Sequence, residues 1–271
     1  MRVALVTGAS SGIGLHTARA LARHGWTVYA VARRTDRLVE LDADGVITFA
    51  MDVTDDASMH AGVDRIVEAE GRIDLLVNNA GYGSYGALET VPIDEARAQF
   101  DVNVFGAARL TQLVLPTMRA QRSGRIVNIS SIGGVIYEPL GSWYHATKFA
   151  LEGLSDSLRV EIAPFGIDVV LVQPGPIRTE WNTIARNGLL KSTAGTAYEV
   201  AGISAARTMG AADRPGRGAL PQEVAQIILR AAEAERPRTR YPAGRGARSI
   251  MIARRLLPDR VFDSFLLRIY G

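Results

Sequence analysis

Short β-branched runs alternate with longer amphipathic stretches over the first 175 residues. The runs are 2–7 (RVALVT), 26–31 (WTVYAV), 46–51 (VITFAM), 73–78 (IDLLVN), 125–130 (RIVNIS) and 167–172 (IDVVLV). Most are apolar almost throughout, as strands buried on both faces of a sheet are. Between them, helical periodicity covers about 13–24, 55–69, 94–120 and 142–164. This alternation predicts βαβ units and a parallel sheet. Right-handed crossovers then give an α/β, doubly wound, Rossmann-like sheet of about seven strands, with helices on both faces and a ligand crevice at the strand carboxyl ends.

No linker, repeat or low-complexity tract divides the chain, so residues 1–271 are expected to form one domain. Residues 180–220 are rich in Gly, Ala, Ser and Thr, with weak periodicity, and follow a strand end where a lid would sit. Pro221 opens a helix over 221–234, with proline in its first turn. A last short strand is expected at 238–241. Two amphipathic helices at 247–257 and 259–269 make residues 243–271 a helical extension.

The chain has no cysteine, which excludes disulfides, thiol nucleophiles and thiolate metal sites. Its four histidines (His16, His24, His60, His145) lack ligand spacing, so no metal is expected. The N-terminus enters a strand at once and no apolar run nears membrane-spanning length, so a cytoplasmic location is expected. Residues 235–271 hold nine arginines against three acids, a balance of +6 within a total of +3. A nucleic-acid partner would want a basic stripe with motif support, which is missing. That leaves a solvated surface, a subunit contact or peripheral membrane contact.

The first strand ends in Thr7-Gly8-Ala9-Ser10-Ser11-Gly12-Ile13-Gly14. Glycine permits a tight turn there, and the following helix aims free N–H groups at a pyrophosphate. At the second strand end an acid would accept from a ribose 2′-hydroxyl; here Arg33 and Arg34 stand instead, Arg33 nineteen residues after Gly14. Arginine clamps a 2′-phosphate, so the cofactor is read as NADP(H) rather than NAD. Two solvated loop arginines are the plain alternative. The third strand ends at Asp52-Val53, where a carboxylate suits an adenine amino group or a helix cap. The fourth ends in Asn78-Asn79-Ala80-Gly81, small and amide residues that suit a cofactor ribose or a simple turn.

Tyr144 and Lys148 stand at i and i+4 on one helix face. A nearby cation favours the phenolate and draws the phenol, ordinarily near 10, toward general acid–base work. Upstream, the fifth strand ends in Ser130-Ser131, where a hydroxyl can reach a substrate oxygen.

These motifs together resemble the short-chain dehydrogenase/reductase family over residues 1–180 and, more loosely, 220–242. The carried residues are TGASSGIG at 7–14, NNAG at 78–81, Asn103, Ser131, Tyr144, Lys148, and Pro174-Gly175 with Thr179. The resemblance implies a tetrad of Asn103, Ser131, Tyr144 and Lys148, and the thirteen-residue spacing to Tyr144 selects Ser131 over Ser130. Tyr144 would donate a proton to a carbonyl oxygen, Lys148 would hold the nicotinamide ribose and lower the Tyr144 pKa, Ser131 would position the substrate oxygen, and Asn103 would hold a water. The backbone at Ile177 and the Thr179 hydroxyl would fix the carboxamide and a phosphate.

Stretches such as 132–142 and 152–159 look like the branch near 17β-hydroxysteroid and retinol dehydrogenases. A pocket from Gly134–Leu140, Trp143, Trp181 and 184–205 would be largely apolar, which implies a lipophilic ketone, aldehyde or alcohol. The alternatives are a 3-oxoacyl thioester reductase, a catalytically weak cofactor-binding regulator and a membrane-associated scaffold. The resemblance also implies a homodimer or homotetramer. The apolar C-terminal helices could cap the pocket, join a subunit interface or touch lipid.

Overall fold

A computed structural model describes residues 1–214 and 216–270. Seven strands form one sheet in the order β3-β2-β1-β4-β5-β6-β7, with every pairing parallel. They are β1 (Val3–Thr7), β2 (Thr27–Ala32), β3 (Ile47–Ala50), β4 (Leu75–Asn78), β5 (Gly124–Ile129), β6 (Ile167–Pro174) and β7 (Arg240–Ala243). The chain reverses direction across the sheet between β1 and β4, which opens a crevice at their carboxyl ends.

Side-chain alternation within each buried strand fills two cores. Ala4 and Val6 face α1 (Gly12–Arg23) and α8 (Pro221–Glu233). Val3 and Leu5 face α2 (Asp56–Glu70) and α4 (Ala107–Gln121). Caps set the helix ends where the sequence offers them. The Asp55 carboxylate accepts from the Ala57 and Ser58 amides at the start of α2. Glu223 accepts from the Leu220 amide just before α8, at 2.9 Å.

Three expectations are corrected. The periodicity over 94–120 is not one helix: α3 (Ile93–Phe100) passes through a π-helical turn, Asp101–Gly106, into α4. The polar, small-residue segment after β6 is mostly helical, as α6 (Glu180–Thr193) and α7 (Glu199–Gly210); tertiary packing overrides its weak periodicity. The last strand lies two residues beyond the expected 238–241, because β6 continues to Pro174 and pairs with Ala243. The extension forms α9 (Ala247–Leu256) and α10 (Asp259–Tyr270). Among the described residues no helix is long and apolar enough to cross a membrane.

Candidate active site and cofactor cradle

The glycine turn is shaped for close backbone approach. Gly8 has φ +64°, and a Cβ there would stand 2.8 Å from Ala80 Cα. A side chain at Gly14 would collide with the Gly8 carbonyl oxygen. The Ser11 N-cap of α1 makes no side-chain capping bond, so its first amides stay free to face an anion. Ile13 packs beside the core, and Thr179 approaches Gly12 from the far side of the crevice.

Thr7 joins this turn to the end of β4. Its Oγ1 accepts from the Asn79 and Ala80 amides, both at 3.0 Å, while Asn79 Nδ2 donates to the Thr7 and Gly8 carbonyls at 2.9 and 3.2 Å. No local sequence signal marks this role of Thr7; the β1–β4 pairing reveals it. Gly81 sits against Asn103 Oδ1.

Arg33 and Arg34 are exposed after β2, and Arg34 Nη2 donates to Ser10 Oγ at 3.3 Å. One groove of about 470 Å³ opens beside them, lined by Ser10, Ser11, Gly12, Asp36, Arg37 and Thr179 among others. Arg37 closes one side by pairing with Glu180 at 2.7 Å. Asp52 Oδ1 accepts from the Thr54 amide and hydroxyl, a turn-forming use of one carboxylate oxygen, and α2 is capped by Asp55 instead. Val53 lies against Gly106 in the π-helical turn. The glycine cradle and the free helix amides thus fit a dinucleotide.

Asn103 is buried in the π-helical turn, a place such turns often occupy at functional sites. Its Oδ1 accepts from the Tyr82 amide at 3.0 Å, and its Nδ2 donates to the Tyr82 carbonyl and the Thr147 hydroxyl at 2.9 and 3.1 Å. It thereby ties the loop after β4 to α5 (Ser142–Ile162), the helix that carries Tyr144 and Lys148.

The two serines after β5 separate cleanly. Ser130 is buried and its Oγ has no hydrogen-bond partner among the described residues, whereas Ser131 is half-buried and hydrogen-bonds toward Tyr144. Ser131 Oγ accepts from the Gly133 amide at 3.0 Å, and its hydrogen bonding draws the Tyr144 phenol downward. Burial is the stronger influence and lifts Tyr144 to about 12, with the Glu138 charge adding to the rise. Lys148 lies on the same face of α5 as Tyr144, one turn along. Its Nζ donates to the Ile129 carbonyl at 2.8 Å and lies 6.0 Å from the Tyr144 ring centroid. Burial lowers the ammonium to about 8, while the Glu152 charge resists.

An aromatic wall closes over the phenol. Tyr85 and Trp181 lie 5.4 and 5.2 Å from the Tyr144 ring, with Leu140, Ala185 and Leu189 behind. Trp143 is not part of it: one residue along the helix from Tyr144, it turns away and packs edge-on to Phe100. The sequence reading missed Tyr85 and the C-terminal Tyr270, which joins this cluster from α10; neither carries a local signal. Pro174 ends β6, the Gly175 amide donates to the Ala243 carbonyl at 2.8 Å, and Asn182 Nδ2 donates to the Ile177 carbonyl at 2.7 Å. These bonds set the loop that brings Thr179 across the glycine turn. Among the described residues no cluster of acids and histidines is placed to hold a metal ion.

Comparison with known proteins agrees with this architecture. The short chain dehydrogenase profile matches residues 2–189. Human 17-beta-hydroxysteroid dehydrogenase type 1 is 35% identical over 260 residues, spanning 88% of this chain and 76% of its own. The NADPH-dependent 3-dehydrocapnine reductase of Ornithobacterium rhinotracheale is 34% identical, spanning 97% and 95%. A short-chain dehydrogenase structure from Streptomyces avermitilis superposes with a TM-score of 0.80 at 37% identity, covering 93% and 91%. With its parallel seven-stranded sheet, its glycine turn and these relatives, the chain belongs to the short-chain dehydrogenase/reductase family of oxidoreductases.

Proposed function

We propose that the chain is an NADP(H)-dependent oxidoreductase that interconverts a lipophilic ketone or aldehyde with its alcohol. The observation that carries the reading is the buried Tyr144 phenol beside Ser131 at the carboxyl end of β5, on the same edge of the sheet as the glycine turn that ends β1, with β4 between them. A bound nicotinamide dinucleotide supplies or accepts the hydride at the reacting carbon.

The remaining work falls to the chain. Burial keeps the Tyr144 phenol protonated near neutral pH, as a proton donor to a carbonyl oxygen must be. Ser131, held by the Gly133 amide, can donate to the same oxygen. Lys148 uses one N–H on Ile129 and keeps two more for the cofactor ribose. Asn103 positions α5 through Thr147, and its Oδ1 keeps a lone pair for a water. Gly8, Ser10, Ser11, Gly12, Ile13 and Gly14 would cradle the pyrophosphate. Asp52 and Val53 would face the adenine, Asn79, Ala80 and Gly81 a ribose, and Pro174, Gly175, Ile177 and Thr179 the carboxamide end.

NADP(H) preference is supported by Arg33 and Arg34, which follow β2 directly, whereas the nearest acid, Asp36, stands further along the loop. The NADPH dependence of the Ornithobacterium relative points the same way. The aromatic wall over Tyr144 supports a lipophilic substrate, as does the steroid enzyme among the relatives. Exposed Phe105 and Phe149, on neighbouring helical segments, support a homo-oligomer.

Fluorescence titration with NADPH and NADH, on wild type and on Arg33→Ala and Arg34→Ala, tests the cofactor. NADPH is expected to bind at least ~10-fold tighter, about 1.4 kcal/mol, and the variants to lose that margin. Equal binding of NADH would overturn the 2′-phosphate clamp. A substrate panel tests the rest: turnover confined to small polar sugars would sink the lipophilic assignment.

A further inference from the structure

The C-terminal helices have two apolar sides, and the chain covers only one. α9 turns Ala247, Ile250, Met251 and Arg254 inward, a stripe at i, i+3, i+4 and i+7. α10 turns Phe262, Leu266 and Tyr270 inward, against Ile136 and Tyr137. Away from that packing Leu256 is 74% exposed, Val261 50% and Phe265 43%. Val261, Phe265 and Ile269 repeat at i, i+4 and i+8, so they line up as a second stripe beside the buried one. A helix whose outer side met only water would carry polar residues there.

The charge on this outer side has one sign. Both acids of the hairpin are used internally: Asp259 pairs with Arg254 at 2.8 Å, and Asp263 accepts from the Tyr137 hydroxyl at 2.7 Å. Arg248, Arg255, Arg260 and Arg268 are exposed, and none has an acidic partner among the described residues. A second copy laid on this face would meet the same arginines, and the two would repel. An anionic bilayer satisfies both features, with phosphates for the guanidiniums and acyl chains for the apolar stripe. Helices of 10 and 12 residues are too short to span a bilayer and suit the interfacial plane.

We propose that the outer face of α9 and α10 docks the protein on an anionic lipid bilayer. The face adjoins the cleft, since Tyr270 at the inner end of α10 packs into the cluster around Tyr144. The docking stands apart from the substrate reading, because a chain acting on a polar ketone would bind through the same residues.

Sedimentation of the 271-residue chain with vesicles tests it, comparing phosphatidylcholine alone with phosphatidylcholine containing phosphatidylglycerol, at physiological salt. Wild type is expected to sediment with the anionic vesicles and to stay in solution with the neutral ones. Arg255→Glu with Arg260→Glu should weaken partitioning about thirtyfold or more. Leu256→Ser with Phe265→Ser should weaken it about tenfold or more. Retained NADPH binding would show that both variants are folded. Wild type left in the supernatant would overturn the proposal. So would an apolar double variant that partitions like wild type, which would leave only unspecific charge attraction. A wild-type oligomer that the apolar double variant dissociates in size-exclusion chromatography would overturn it too, by assigning the face to a second copy.

Discussion

The Trp181 indole lies across the Tyr144 phenol, with ring centroids 5.2 Å apart and planes inclined at 58°. Trp181 comes from the first turn of α6, whereas Tyr144 is fixed near the start of α5. Gly83 makes the arrangement possible, because a side chain there would collide with the indole. The contact keeps water from the phenol, and burial is the main cause of its rise to about 12.

Trp181→Ala is expected to bring Tyr144 ionisation down toward its ordinary value near 10. For carbonyl reduction the protonated phenol is the working form, so the alkaline limit of the rate should move to lower pH. Spectrophotometric tyrosine titration of Trp181→Ala, compared with the same variant carrying Tyr144→Phe, isolates the shift. An unchanged titration would mean that the indole does not govern the phenol.

Lys148→Met tests the strain of burying the ammonium. Folding lowers this group from about 10.5 to about 8. Between those values the unfolded chain binds more protons, so this term makes the protein more stable as pH rises. Below about 8 the penalty is fully present, at up to about 3 kcal/mol. The lost bond to Ile129 returns roughly 1 kcal/mol. The variant should therefore gain about 2 kcal/mol at pH 7 and little or nothing at pH 10, while losing activity. Urea unfolding at the two pH values reads this directly. An equal change at both would refute the buried-charge argument.

Gly8→Ala should cost about 2–3 kcal/mol and abolish dinucleotide binding, because the residue sits at φ +64° against the Ala80 backbone. Gly45→Ala is the control: its φ is +71°, with nothing within 4 Å of the added Cβ. It should cost only about 1 kcal/mol and leave binding intact. Thermal unfolding and NADPH titration on both variants separate backbone conformation from crowding. Equal effects of the two would show that the close approach to β4 does not matter.

Much of the architecture was legible in the sequence because its cause is local. An apolar strand run, a glycine turn at its end and a following amphipathic stretch each depend on neighbours a few residues away. Those signals gave the strand positions, the parallel α/β class and the placement of Tyr144 and Lys148 on one helix face. They could not say that Ala4 and Val6 face one core while Val3 and Leu5 face the other, since alternation leaves the two sides equivalent until helices pack. Packing likewise decided that Trp181 rather than Trp143 covers Tyr144. The clamp of Asn103 on Tyr82 and Thr147, the Thr7 link to Asn79, and the burial that raises Tyr144 arise between residues far apart in the chain. Periodicity records which residues avoid water; partner choice and desolvation are set only when the sheet and its helices close around them.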